Sequence, residues 1–236
     1  MQMTDGSFYP RFFVDRGQLE YRGEKWSQQP GSFHAKIAIG LLNLADVTDD
    51  DTYTLIARNN CDWTVARQLS DGRFVTNLEE DSSFLHPLCY TLEGLLVAGL
   101  ALEDETYVNA AAKGFKWIWD NGKWGDGISA YYTDGQHVPV ETPDVNAQVI
   151  RLYLMLRHQG IVRDDDKSIA PAVEHLQQYQ CSSDDRRING GFVSGRAWFV
   201  DDSPKRTPKH VNAWVTMFVQ QAIHMFASRV VPGRWQ

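Results

Sequence analysis

The stretch Phe84–Leu96, FLHPLCYTLEGLL, places His86, Tyr90 and Glu93 in an otherwise apolar run. At helical spacing i, i+4 and i+7 these three share one face. An imidazole, a phenol and a carboxylate in line can exchange protons or hold hydroxyl groups. A second apolar stretch, DVNAQVIRLYLMLRHQG, repeats the spacing with Asp144, Gln148 and Arg151. A third, HVNAWVTMFVQQAIHMF, aligns with it without gaps, DVNAQ on HVNAW. Setting HAKIA and HPLCY in the same frame gives one layer of His34, His86, Asp144 and His210. The next layer holds Ala38, Tyr90, Gln148 and Trp214, and a deeper one Leu41, Glu93, Arg151 and Met217.

The segments carrying these residues are too long for strands, so each is expected to be a helix. If their N-termini gather at one mouth, free backbone N–H groups point there and favour oxygen-rich ligands. Lys36, Asn146 and Asn212, two residues into their segments, would add donors. Single polar residues near helix starts are commonly caps, and Thr142 before Pro143 has that form. Four at one repeat position point to a pocket instead. Glu93 and Arg151 in one deep layer suggest a buried ion pair.

Amphipathic segments alternate with the apolar ones. Asp49–Phe74 resembles Glu103–Ile128, with Tyr53 and Tyr107 54 residues apart and the Asp-Gly pairs at 71 and 126 55 apart. Asp164–Phe192 is a looser third copy, and Asp5-Gly6 looks like the tail of a further one. A helix apolar on most sides is buried and one with a polar face borders solvent. About seven main helices are expected, alternately inner and outer, with short strands or loops at the Asp-Gly turns. One domain spans 1–236, with 1–30 as an N-terminal arm.

Alternation, Asp-Gly-aromatic turns and period together resemble the α/α-toroid superfamily of six-hairpin glycosidases, sugar epimerases and prenyltransferase-like toroids. The resemblance implies an all-α fold, an incomplete or reduced barrel of about three and a half hairpins. It also implies a small-molecule or oligosaccharide ligand in a central cup. The leading expectation is a glycoside hydrolase. Inversion needs an acid and a base roughly 6.5–9.5 Å apart. Asp144 is the first candidate, with Glu93 or Glu141 as its partner. His86, His210 and Tyr90 would position hydroxyls, Trp214 would stack on a sugar, and Gln148 would form part of the floor. A second reading is a sugar epimerase or isomerase in which His86 and His210 move protons. A third is a non-catalytic sugar-binding scaffold. A metal held by His34, His86, Asp144 and His210 is an alternative, but the reading carried forward has neither metal nor cofactor.

HPLCYTLEGL also resembles the H-x-x-C-Y-x-L-x-G-L pattern of prenyltransferase β-subunits, yet the Asp-x-Cys pair of that zinc site is missing. DDDTY and DDDKS resemble aspartate-rich diphosphate motifs but fall at outer-helix starts, where acidic residues suit the helix dipole. Net charge is −7 with no basic run, which argues against nucleic acid. Cys61, Cys89 and Cys181 lack metal spacing and suit a reducing, cytoplasmic setting. No signal peptide or membrane span is expected. The apolar side of His210–Phe226 has no following outer helix, so either the aromatic arm Phe8–Tyr21 or a second copy, as a homodimer, is expected to cover it.

Overall fold

The computed structural model describes residues 1–20, 23, 25–78, 80–124, 127–163, 166–194 and 211–231. They form two compact units, Met1–Trp119 with Tyr132–Gln136, and Asp120–Tyr131 with His137–Gln236.

The first unit opens with a two-stranded ribbon, β1 (Arg11–Phe13) and β2 (Gln18–Glu20), antiparallel with Phe12 opposite Leu19. A 3-10 turn, Ser32–Lys36, leads into α1 (Ile37–Thr48), and α2 (Asp51–Val65) follows. After a short strand β3 (Ser83–Phe84) come α3 (Leu85–Leu102) and α4 (Glu105–Asn121). The internal repeat is visible atom by atom. Asp49 and Glu103 both end an inner helix in the left-handed conformation, at φ 55° and 53°. One residue on, Asp50 accepts from Thr52 N and Asp104 from Thr106 N, each at 2.9 Å. These acidic residues therefore start the outer helices, as the sequence predicts.

The Asp-Gly turns also repeat. Gly72 (φ +103°) lies on α4, where an added Cβ would come within 2.7 Å of the Lys113 carbonyl oxygen. Gly6 (φ +93°) lies on α2 in the same way, 2.4 Å from the Asn59 carbonyl oxygen. Only glycine combines that backbone with that approach. The Gly6 carbonyl accepts from Asn60 Nδ2 at 3.1 Å, and Trp63 Nε1 donates to Asp5 Oδ2 at 3.0 Å. The first residues of the arm thus seat against α2. The outer helices are tied to each other by Tyr107 Oη, which donates to Asp62 Oδ1 at 2.5 Å.

Burial departs from the inner-outer alternation. In α3 every residue except Tyr90 and the last three is buried. In α1 only Ala38 is buried, and Val47 is 82% exposed. The expectation that α1 is an inner helix apolar and covered on most sides is therefore corrected. Apolar composition permits burial, but neighbours on only one side cannot supply it. α3 is also the one described helix long and apolar enough to cross a membrane. The sequence reading found no such span. Its 78% burial inside the protein and its polar file mark it as a core helix.

β4 (Lys123–Trp124) and β5 (Gly127–Thr133) pair antiparallel, and β6 (Gln136–Glu141) returns beside β5. Asp134 and Gly135 close that hairpin with φ of 51° and 78°, the two left-handed positions of a type I′ turn. Helix α5 (Pro143–His158) is buried over nearly its whole length and packs against α7 (Ala213–Ser228) and the short outer helix α6 (Ala170–Leu176). α7 starts three residues after His210, which lies outside the described residues. It buries Val215, Phe218, Val219, Ala222 and Met225 on one face only.

Candidate functional site

In the first unit the polar file of α3 meets the turn before α1. Gly94 makes this possible, since a Cβ there would fall 2.3 Å from the Ala35 backbone carbon. Ser32 and Thr91 hydroxyls bond across the same contact at 2.9 Å. The close approach brings Lys36 Nζ to 2.7 Å from Glu93 Oε2 and 4.5 Å above the Tyr90 ring. Tyr90 in turn meets His86 edge-on, with ring centroids 4.7 Å apart. Glu93 is only 5% exposed, as is His86, so this carboxylate sits deep with its charge met by Lys36. Lys36 is a partner of Glu93 that the sequence reading did not propose.

His86 is not a cap, because Phe84 holds the cap position and His86 lies inside the first turn of α3. Trp26 lies 6.3 Å from the His86 ring and meets Phe33 edge-on at 5.0 Å. Phe33 continues to His34 at 4.3 Å. His34 is buried, and its Nδ1 finds no hydrogen-bond partner among the described residues. Burial, with a smaller contribution from the N-terminal amine, pushes its pKa down to about 4, so it is neutral at pH 7.

In the second unit Asp144, Gln148 and Arg151 share one face of α5, all buried, with Asp144 9% exposed at the first turn. Gln148 Nε2 donates to the Asp144 carbonyl at 3.2 Å, and the Arg151 guanidinium lies 5.8 Å from the Phe218 ring centre. Asn146 points elsewhere. Its Oδ1 accepts from Ile128 N at 2.7 Å and its Nδ2 donates to Glu141 Oε1 at 2.5 Å. Asn146 is a fully buried brace between β5, β6 and α5, a different task from the ligand donor expected. Thr142 occupies the cap position of α5 without a side-chain cap bond. Asn212 does cap α7, accepting from Trp214 N at 2.9 Å and Val215 N at 3.4 Å. Trp214, expected to stack on a sugar, is 49% exposed on the first turn of α7.

Two residues escaped the sequence reading. Trp26 lies in the arm, where nothing local marks it. His175 of α6 bonds Glu141 Oε1 through Nε2 at 2.5 Å, although AVEHLQQYQ reads as an ordinary amphipathic outer helix. Among the described residues no group of three His, Cys, Asp or Glu is placed to share a metal ion.

No protein-family model and no curated protein sequence matches this chain. Solved structures do. The unsaturated glucuronyl hydrolase from Bacillus sp. GL1, responsible for the degradation of glycosaminoglycan, is 15% identical with a TM-score of 0.67, over 91% of this chain and 63% of its own. The chain shares its fold, an α/α toroid, with the solved structures it matches. A sugar epimerase from a ruminal bacterium shares this toroid fold at 13% identity and a TM-score of 0.65, covering 93% of this chain and 60% of its own. A glycosyl hydrolase family 88 protein from Bacteroides vulgatus does so at 12% and 0.63, covering 84% and 62%. The chain therefore spans less than two thirds of the length of the toroid structures it matches.

Proposed function

We propose that this chain is a carbohydrate-active enzyme built on the α/α-toroid fold, with glycoside hydrolysis as its reaction. One observation carries the reading. The two helices buried along most of their length, α3 and α5, each carry a polar file at i, i+4 and i+7 beginning at their second residue. His86, Glu93, Asp144, Gln148 and Arg151 are buried at equivalent positions of the two files, a concentration of polar groups that capping alone does not require. Such groups are retained where they hold or transform a ligand. The names of the structural neighbours, two hydrolases and an epimerase, point to sugars as that ligand.

In this reading Asp144 donates or accepts the proton at the glycosidic bond, with Glu141 of the same unit as the second carboxylate. Tyr90 and His86 hold hydroxyls, and Lys36 keeps Glu93 in place. Epimerisation is the second reading, favoured by a specific feature of the first unit. His34 is neutral at pH 7, and an aromatic chain through Phe33 and Trp26 links it to His86. Histidine can move protons beside a sugar carbonyl, and His86 is the residue of this group to which the reading gives that task.

A panel of neutral and uronic-acid glycosides, read for both hydrolysis and epimerisation, tests the proposal. Asp144→Asn should lower hydrolysis by about 100-fold or more and alter stability by about 1 kcal/mol or less. Retained turnover in that variant removes Asp144 from the mechanism. Epimerisation without hydrolysis gives the site to the second reading.

A further inference from the structure

We propose that His175 is a positioning residue that fixes the Glu141 carboxylate in one orientation and leaves its second oxygen for substrate. This rests on the reading of Glu141 as a candidate catalytic carboxylate. The geometry supplies the rest. Glu141 is the last residue of β6, and its Oε1 lies 2.5 Å from both Asn146 Nδ2 and His175 Nε2. Asn146 cannot turn its amide round, because its Oδ1 accepts from Ile128 N at 2.7 Å. Its NH2 group must therefore face Glu141.

The same logic assigns the histidine proton. Gln178 Nε2, which can only donate, lies 3.3 Å from His175 Nδ1. Nδ1 is then the acceptor, the proton sits on Nε2, and Nε2–H donates to Glu141. The donors run in one direction, from Gln178 through His175 to the carboxylate, with Asn146 joining from the other side. Beneath them Gly127 leaves the seat open. A Cβ at that position would reach 2.3 Å from Glu141 Oε1 and 2.7 Å from Oε2. With side chains 17% and 14% exposed, Glu141 and His175 are shielded but reachable. Both bonds fall on Oε1, and Oε2 accepts none from the described residues. A carboxylate pinned by one oxygen and free at the other is oriented for work at the free one. A merely structural tie between α6 and β6 would not need the tautomer, the glycine seat and the asymmetric bonding together.

The test combines spectroscopy with kinetics. In protein labelled with ¹⁵N-histidine, the His175 signals, assigned by their loss in His175→Gln, should report the Nε2–H tautomer. Glu141→Ala should return them to the mixed pattern of a free imidazole. Signals that do not respond to Glu141→Ala overturn the pairing. On a glycoside that the wild type turns over, His175→Ala should lower kcat about tenfold with KM little changed, the scale on which orienting partners act. His175→Gln, which restores an N–H donor at that position, should recover most of the rate. An unchanged kcat in His175→Ala, or a change confined to KM, overturns the positioning role. A wild type that turns over no glycoside overturns the enzymatic reading and its catalytic consequence, while the tautomer still decides whether the pair exists.

Discussion

Helices α1 and α3 hold equivalent places in successive copies of the repeat within one unit, and both have the composition of a buried helix. Only α3 is buried. Ala35, in the turn that introduces α1, presses so close to Gly94 of α3 that no side chain would fit between them. Gly40 of α1 has no neighbour within 4 Å of the place a Cβ would occupy. Ile37, Leu44 and Val47, spaced along one side of α1, are all exposed. The comparison separates two properties that composition merges. An apolar face makes burial favourable, but it is realised only where other elements pack on every side. The functional groups follow the same division. The polar file sits on α3, where a low-dielectric surrounding strengthens each hydrogen bond and charge pair. On the α1 side the candidate groups, His34 and Lys36, lie in the 3-10 turn before the helix.

The largest expected contrast is in side-chain truncation. Leu95→Ala, in the fully buried part of α3, should cost about 2–5 kcal/mol through lost transfer energy and a cavity. Leu44→Ala, half-exposed on α1, should cost about 1 kcal/mol or less. Urea denaturation of the two variants measures the difference. Equal costs would mean that α1 is covered in solution and that the contrast is false.

The next effect lies where α1 begins. His34 has its folded pKa near 4, below the ordinary value of 6.5. Between those values the unfolded chain binds a proton that the folded chain refuses, so stability falls as pH drops through that window. From pH 7 to pH 5 the loss should be about 2 kcal/mol from this one group. His34→Phe should flatten that part of the profile. A profile equally steep in the variant would mean that His34 is not buried in the neutral form.

The smallest effect concerns the two glycines. Gly40→Ala should stabilise the protein by about 0.5–1 kcal/mol, because alanine favours the helix and meets nothing. The same change at Gly94 should destabilise, since the backbone of Ala35 cannot give way. Thermal midpoints of the two variants should move in opposite directions.

Much of the fold was legible before any coordinates. The 54-residue offset of Tyr53 and Tyr107 is a structural repeat, down to the left-handed residues at 49 and 103 and the caps at 50 and 104. Local chemistry dictates such features, so a local reading finds them. The polar files were legible for the same reason, since their spacing lies along a single helix. Partners were not. Lys36 reaches Glu93 because of a glycine contact between segments more than fifty residues apart. Asn146, two residues beyond Asp144, faces β5 and β6, and no pattern in DVNAQ distinguishes a brace from a ligand donor. The reach of α6 to Glu141 through His175 depends on tertiary packing that an amphipathic pattern does not encode.

The central claim is that the polar file on α3 exists for a ligand and not for the core. Its most direct test pairs turnover with stability in Glu93→Gln, which keeps the shape and removes the charge that Lys36 meets. If the file is functional, hydrolysis should fall by about 100-fold or more, while urea unfolding shows a loss of about 2 kcal/mol or less. Full turnover accompanied by a loss of several kcal/mol would contradict the claim and make Glu93 and Lys36 a structural pair.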